Sequence, residues 1–153
     1  MRHLIDIRRQ RGMTLLELVV AMTAVMILAS IAVPAYTGYV NRARVARAIG
    51  DIGTISLQLY RWQSNALSFP ATLTEAGLDA TDPWGRPYEY TRVAGAKTSD
   101  LRKDHNLHPI NTDFDLYSRG PDGDTSGPLT AQKSRDDVIR ANDGGFIGLG
   151  ADY

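Results

Sequence analysis

The chain has 153 residues and a mass of 16.8 kDa, which leaves room for one compact domain with an appendage. Its 17 Lys and Arg residues balance 17 Asp and Glu residues, so the net charge of zero gives no general attraction to nucleic acid. There is no cysteine, which excludes disulfides, thiolate metal sites and a cysteine nucleophile. These properties argue against a two-lobed enzyme, a polyanion-binding protein and a redox protein.

An uncharged apolar run covers residues 18–36. At about 1.5 Å per residue this run makes a helix of roughly 29 Å, which matches the hydrocarbon thickness of a bilayer. Ahead of the run, residues 1–12 contain the single acid Asp6 and four arginines, namely Arg2, Arg8, Arg9 and Arg11. By the positive-inside rule, the basic end stays in the cytoplasm and the rest of the chain lies outside.

Three kinds of N-terminal segment are compatible with this run: a secretory signal cut after residues 30–32 (Ser-Ile-Ala), an uncut anchor, or a leader cut before the run. Glu17 argues against the first, because a carboxylate deep in an apolar segment costs about 2.5–3.5 kcal/mol and needs a cation. A cut between Gly12 and Met13 would place a new α-amino group one helical turn from Glu17, in the same or a neighbouring subunit.

The sequence RGMTLLE at residues 11–17, followed by the apolar run, resembles the prepilin leader of type IV pilins and type II secretion pseudopilins. In that family a prepilin peptidase cuts after the glycine and methylates the new N-terminus, and the glutamate guides subunit docking. The resemblance implies cleavage after Gly12, methylation of Met13, where most members have Phe, and an assembly role for Glu17. Pro34 matches the proline of the family's long helix and is predicted to loosen it locally.

Beyond the apolar run, apolar residues recur at spacings of three and four, with charged and polar residues on another face. The predicted buried stripe is Val45, Ile49, Ile52, Ile55, Leu59 and Trp62. The pattern predicts one helix over residues 13–64, apolar all round over 13–36 and amphipathic over 37–64.

The remainder, residues 65–153, is predicted to form a small globular domain. Residues 82–90 (DPWGRPYEY) predict a fixed turn leading into an edge strand, and Phe114 and Leu116 alternate in a second strand. Together with SRGPDG at 118–123 and SRDD at 134–137, these segments resemble the globular domain of the major, G-type pseudopilin of type II secretion. The expected fold is α+β and pilin-like: a long N-terminal helix against two or three antiparallel strands, with an irregular C-terminal loop region.

The segment beyond Pro121 is rich in acids and glycine and poor in apolar residues, so without a stabilising partner it is expected to be disordered. Calcium takes six to eight oxygen ligands and tolerates irregular loops. The resemblance implies a calcium ion bound by the carbonyl of Arg119 and by the side chains of Asp122, Asp124, Ser134, Asp136 and Asp137.

Two alternatives compete with this calcium site. An EF-hand starting at Asp122 is excluded, because its twelfth position is Lys133 instead of a bidentate glutamate. A solvated acidic loop without metal stays open. An insert at 94–112 and a long tail after Asn142 depart from the family pattern, and each is in a position to displace a ligand.

Enzyme motifs are missing from the sequence: it has no phosphate-binding glycine loop, no nucleophile elbow and no HExxH zinc motif. His105 and His108 could bind a metal with Asp104 on a helix, but Pro109 and the polar surroundings favour a surface loop. No catalytic residue is assigned, and the chain is predicted not to be an enzyme.

The expected function is that of a structural filament subunit, the major pseudopilin of a type II secretion system. Its expected partners are further copies of itself, other pilins or pseudopilins, prepilin peptidase, an inner-membrane assembly platform and membrane lipid, without nucleic acid. The expected location is the bacterial inner membrane with the C-terminal domain in the periplasm. A type IV pilus subunit and an uncut, membrane-tethered calcium-binding module are the alternatives.

Overall fold

The computed structural model describes residues 12–153, so the predicted leader, apart from Gly12, lies outside the described residues. Helix α1 spans Leu15–Ala66 and is continuous over 52 residues, with Pro34 inside it. This confirms the single long helix, displaced by two residues at each end from the predicted bounds. The chain divides into two units, one ending at Tyr39 and the other spanning Val40–Tyr153.

The part of α1 in the first unit carries its apolar side chains on the outside. Leu15 and Leu16 are 81% and 73% exposed, and the large apolar residues up to Tyr39 are exposed as well. The hydroxyl of Thr23 donates to a main-chain carbonyl one turn earlier, as does that of Ser30, so these hydroxyls need no water. Among the described residues, α1 is the one helix long and apolar enough to cross a membrane.

The second unit contains a four-stranded antiparallel sheet in the order β1-β2-β3-β4. Its strands are β1 (Glu89–Arg92), β2 (Phe114–Ser118), β3 (Val138–Ala141) and β4 (Phe146–Leu149). The sequence indicated two or three strands, so β3 and β4 form in a region where an irregular loop was expected. The reason is burial: every residue of β3 is buried, and Arg140 is tolerated there because its guanidinium is neutralised.

The main core lies between the amphipathic part of α1 and the sheet. Ile52, Ile55 and Leu59 of the predicted stripe are buried in it, with Val45 and Ile49 packed against its edge. Trp62 is partly buried and takes no part in this core. The other buried members of this core are Ala48, Phe69, Leu73, Tyr88, Phe114, Leu116 and Val138.

A buried ion pair links α1 to β2 and β3. The guanidinium of Arg140 donates to both carboxylate oxygens of Asp113, at 2.8 and 2.6 Å, and to the hydroxyl of Tyr60 at 2.7 Å. The Tyr60 hydroxyl in turn donates to Asp113 at 2.7 Å. Burial alone would raise the pKa of Asp113, but the hydrogen bonds from Arg140 and Tyr60 outweigh it and hold that pKa below its usual value.

Candidate functional site

The start of α1 is closed by a reciprocal pair of hydrogen bonds between Thr14 and Glu17. The backbone N–H of Glu17 donates to the Thr14 hydroxyl at 3.2 Å, and the backbone N–H of Thr14 donates to a Glu17 carboxylate oxygen at 3.5 Å. This is the capping-box arrangement, which satisfies two N–H groups that a helix start leaves without partners. The Thr-x-x-Glu spacing carried this signal, and reasoning from the sequence missed it.

The predicted cleavage point lies just before the capping box. Gly12 and Met13 are exposed and lie before the helix, so a peptidase active site can reach the peptide bond between them. The helix begins two residues later, at Leu15. The predicted processing residues and the predicted assembly residue Glu17 therefore lie together at one helix end, and Pro34 lies farther along the same helix.

The predicted calcium ligands lie in and around the loop between β2 and β3. Asp122 accepts a hydrogen bond from the backbone N–H of Asp124 at 2.8 Å, and Asp136 accepts one from the backbone N–H of Asp122 at 3.4 Å. The carboxylate of Asp124 forms an ion pair with Lys133 at 2.6 Å. These three aspartates are close along the loop, but each is engaged by the protein itself.

The side chains of the other three residues of the predicted site also have partners within the chain, but the predicted ligand of Arg119 is its main-chain carbonyl and not its side chain. Ser134 is buried, and its hydroxyl both donates to the carbonyl and accepts from the N–H of Ser126, at 2.7 and 2.9 Å. The side chain of Arg119 forms an ion pair with Glu89 at 2.6 Å. Asp137 is fully buried, and one of its carboxylate oxygens lies 2.6 Å from the guanidinium of Arg102.

The arrangement of these residues does not fit a calcium ion. Among residues 12–153, no three Asp, Glu or His side chains converge in a group that could hold a metal. One carboxylate oxygen of Asp137, Oδ1, has no hydrogen-bond partner among the described residues, which is the kind of atom a metal would use. The other oxygen, however, already binds the cationic Arg102, and calcium would have to compete with that charge.

Arg102 belongs to the insert at 94–112, for which the sequence suggested no role. Only 4% of this residue is exposed, and its guanidinium lies 4.3 Å from the ring centre of Tyr117. It donates to the Thr125 hydroxyl at 2.6 Å and to the Ser126 carbonyl at 2.8 Å, besides Asp137. Arg102 was missed because it is 35 residues from Asp137 in the sequence.

Buried carboxylates in this region are held by donors from the insert. The backbone N–H of Arg102 donates to Asp115 at 2.7 Å, and the amide of Asn111 donates to its other oxygen at 2.9 Å. Burial raises the pKa of Asp115, and the hydrogen bonds from Arg102 and Asn111 oppose this rise. Burial also raises the pKa of Asp137, where the hydrogen bonds from Thr125 and Arg102 oppose the rise. An unpartnered carboxylate at either position would be costly, so the insert is an integral part of the domain.

His105 and His108 lie on an exposed stretch of the insert. The ring of His105 lies 2.9 Å from the carboxylate of Asp104, and its side chain is 76% exposed. His108 is exposed too, and no metal-holding group occurs in the part of the chain that the structure describes. The surface role expected of this pair agrees with their exposure.

Comparison with known proteins agrees with the resemblance seen in the sequence. The family described as "Prokaryotic N-terminal methylation motif" matches residues 7–33. The type II secretion system core protein G of Pseudomonas aeruginosa is 30% identical over 144 residues, which cover 78% of this chain and 89% of that protein. The core protein G of Pectobacterium carotovorum is 33% identical, covering 75% of this chain and 78% of its own length.

A pilus protein is similar as well: the fimbrial protein of Neisseria meningitidis is 28% identical, covering 88% of this chain and 81% of that protein. No solved structure gives a significant match.

Since the relatives are pseudopilins and pilins, the chain is a pilin-like filament subunit and not an enzyme. Its N-terminal apolar helix fits a protein anchored in the inner membrane. By its motif and its similarity over most of its length, the chain belongs to the pilin-like family of the type II secretion system core protein G.

Proposed function

We propose that this chain is the major pseudopilin of a type II secretion system. A prepilin peptidase cuts it after Gly12 and methylates Met13, and the apolar part of α1 then holds it in the inner membrane with residues 40–153 in the periplasm. From there it polymerises with copies of itself and with other pseudopilins on an inner-membrane assembly platform. The relatives named core protein G, at 30% and 33% identity, support secretion over a pilus.

One observation carries this proposal: the exposed Gly12–Met13 bond lies directly before a helix that is capped at Thr14 and Glu17. Cutting there removes none of the helix. It also leaves a positively charged terminus beside the only carboxylate of the apolar segment. A filament of stacked helices has a use for such a pair in every subunit, because opposite charges set the axial register between neighbours.

The exposed apolar surface of α1 gives independent support. A series of large side chains from Met13 to Tyr39 is exposed, with exposed fractions from 45% to 81%. Such a surface requires cover from lipid or from other protein. Lipid provides the cover before assembly, and the helices of neighbouring subunits provide it in the filament.

The runner-up is a type IV pilus subunit, which the similarity to the Neisseria fimbrial protein supports. Deleting the gene separates the two functions. If the chain is a secretion pseudopilin, the deletion strain traps exported enzymes in the periplasm and keeps its surface pili. If the chain is a pilin, the deletion strain secretes normally and loses its pili. No part of the proposed filament function depends on the calcium ion that the sequence resemblance implies.

Substitution of Glu17 tests the assembly role. Glu17→Gln keeps an oxygen for the capping box, since Gln serves there as well as Glu, but removes the charge. Thr14→Ala removes the threonine side of the box and leaves the charge in place. We expect Glu17→Gln to remain in the membrane and to lose at least about tenfold in filament yield, measured by shearing or crosslinking of cells.

The matched Thr14→Ala variant is expected to assemble with little loss, because a missing cap costs only about 1 kcal/mol of helix stability. Normal filament yield from Glu17→Gln, together with a loss in Thr14→Ala, would show that Glu17 acts only as a cap. That outcome would remove the charge-pairing step from the proposed assembly.

A further inference from the structure

The loop between β2 and β3 is closed around a positive charge that the chain itself supplies. Asp137, at the end of this loop, is fully buried, and its side chain is 0% exposed. A buried carboxylate requires a cation or several donors close by. Arg102 meets this need, with an ion-pair distance of 2.6 Å and a side chain that is only 5% exposed.

The guanidinium binds three oxygen groups that are distant from it in the sequence. It donates to the carboxylate of Asp137, the hydroxyl of Thr125 and the carbonyl of Ser126, all within 2.8 Å. The Thr125 hydroxyl also donates to the same Asp137 oxygen at 2.6 Å. A carboxylate, a hydroxyl and a carbonyl gathered around one buried cation is a hard-oxygen set of the type that calcium uses, with an arginine in the place of the ion.

Main-chain hydrogen bonds of Arg102 and of the following residue, Lys103, hold the arginine in this position. The N–H of Lys103 donates to the Gly127 carbonyl at 3.1 Å, and the N–H of Leu129 donates to the Lys103 carbonyl at 2.9 Å. The carbonyl of Arg102 accepts from the N–H of Ile110 at 3.1 Å. The insert is therefore hydrogen-bonded to the loop next to the guanidinium, and Arg102 is not a surface arginine that happens to reach inward.

We infer that Arg102 is a built-in cation that closes the loop at residues 119–137, so that this domain keeps its fold without a bound calcium ion. The inference concerns how the domain is stabilised and is independent of the filament function. It gives the insert at 94–112 a role, since the insert delivers Arg102. It also predicts that the stability of the folded domain does not depend on calcium.

Thermal unfolding of the full-length protein in detergent micelles tests this claim. Both tryptophans, Trp62 and Trp84, lie in the second unit, so tryptophan fluorescence reports its unfolding. We expect the Tm to differ by less than about 1 °C between excess calcium and excess chelator. A calcium ion bound at about a hundred times its Kd would instead raise the Tm by roughly 10 °C, and a rise of that kind would overturn the inference.

Removing the guanidinium tests the cation directly. Arg102→Met leaves Asp137 buried without its cation, and we expect the Tm to fall by about 10 °C. Arg135→Met is the matched control, because Arg135 lies in the same loop but is exposed, and its Tm is expected to change by less than about 2 °C. Equal Tm values for Arg102→Met and the wild type would contradict the inference.

A double variant keeps the test decisive if Arg102→Met does not fold. In Arg102→Met/Asp137→Asn both charges are gone, and we expect this protein to be at least as stable as the Arg102→Met variant. Arg102→Lys keeps the charge but not the planar fork, and we expect its Tm to lie between those of the wild type and Arg102→Met. If Arg102→Met does not fold, we expect the double variant to fold, because the uncompensated charge of Asp137 is gone; a double variant that is unfolded while Asp137→Asn alone is folded would overturn the inference.

Discussion

At the residue scale, Gly120 lets the start of the loop between β2 and β3 lie against the end of the same loop, which no residue with a side chain allows. Its φ is +62°, in the left-handed region, and a Cβ there would overlap the backbone carbonyl of Asp136. Its own carbonyl accepts a hydrogen bond from the guanidinium of Arg86. The close backbone approach at Gly120 is what brings the start of the loop onto its end.

We therefore expect Gly120→Ala to cost about 3 kcal/mol, the sum of a left-handed backbone and a displaced neighbour. Gly77→Ala is the control, because Gly77 has nearly the same φ, +65°, but open space where its Cβ would lie. Its cost is expected to be about 1 kcal/mol. Urea unfolding of both variants measures the difference, and equal losses would contradict the steric account of Gly120.

Residues that act through near neighbours in the sequence are the ones that could be predicted. Gly12, Met13 and Glu17 lie within six residues of one another, so a spacing rule is enough to predict a processing site there. Arg102 and Asp137 meet only because the sheet folds, and nothing around either residue distinguishes it from a surface charge. For the aspartates of the loop, the sequence does not show which cation reaches them.

At the element scale, the Arg140–Asp113 pair makes the packing of α1 on β2 and β3 dependent on pH. The pKa of Asp113 is lowered in the folded protein, so its stabilising contribution is complete above the unfolded-state pKa and is lost as the pH falls through the folded-state value. Asp113→Asn leaves Arg140 buried without its carboxylate. We expect it to cost about 3 kcal/mol near pH 7 and clearly less near pH 3, in urea unfolding at both pH values.

Asp152→Asn is the control for this prediction, because Asp152 is exposed. It is expected to change the stability by less than about 0.5 kcal/mol at either pH. If Asp113→Asn lowers the free energy of unfolding equally near pH 7 and near pH 3, the charge of Asp113 does not contribute to the stability of the pair.

The elements differed in how far the sequence predicted them. α1, β1 and β2 follow clear apolar periods, and the structure contains all three. β3 was missed because Arg140 interrupts its apolar run, although a lone arginine among buried positions is itself a sign of an internal ion pair. β4 was missed because glycines surround it, and only pairing with β3 makes this segment a strand.

At the scale of the whole molecule, the apolar part of α1 and residues 40–153 differ in what stabilises them. The apolar part of α1 is exposed and needs lipid or other subunits to cover it. Residues 40–153 have their own core and buried ion pairs, and their stability is expected not to depend on metal. Under the proposed function, processing at Gly12 commits such a subunit to assembly.

The mature N-terminus of the protein from its own cells is the measurement that tests this account most directly. Intact mass and mapping of the terminal peptide distinguish all three kinds of N-terminal segment. The account predicts the loss of residues 1–12 and one added methyl group on Met13. An intact Met1, or a chain beginning at Val33, would contradict it, because neither leaves a charged terminus beside Glu17 for assembly.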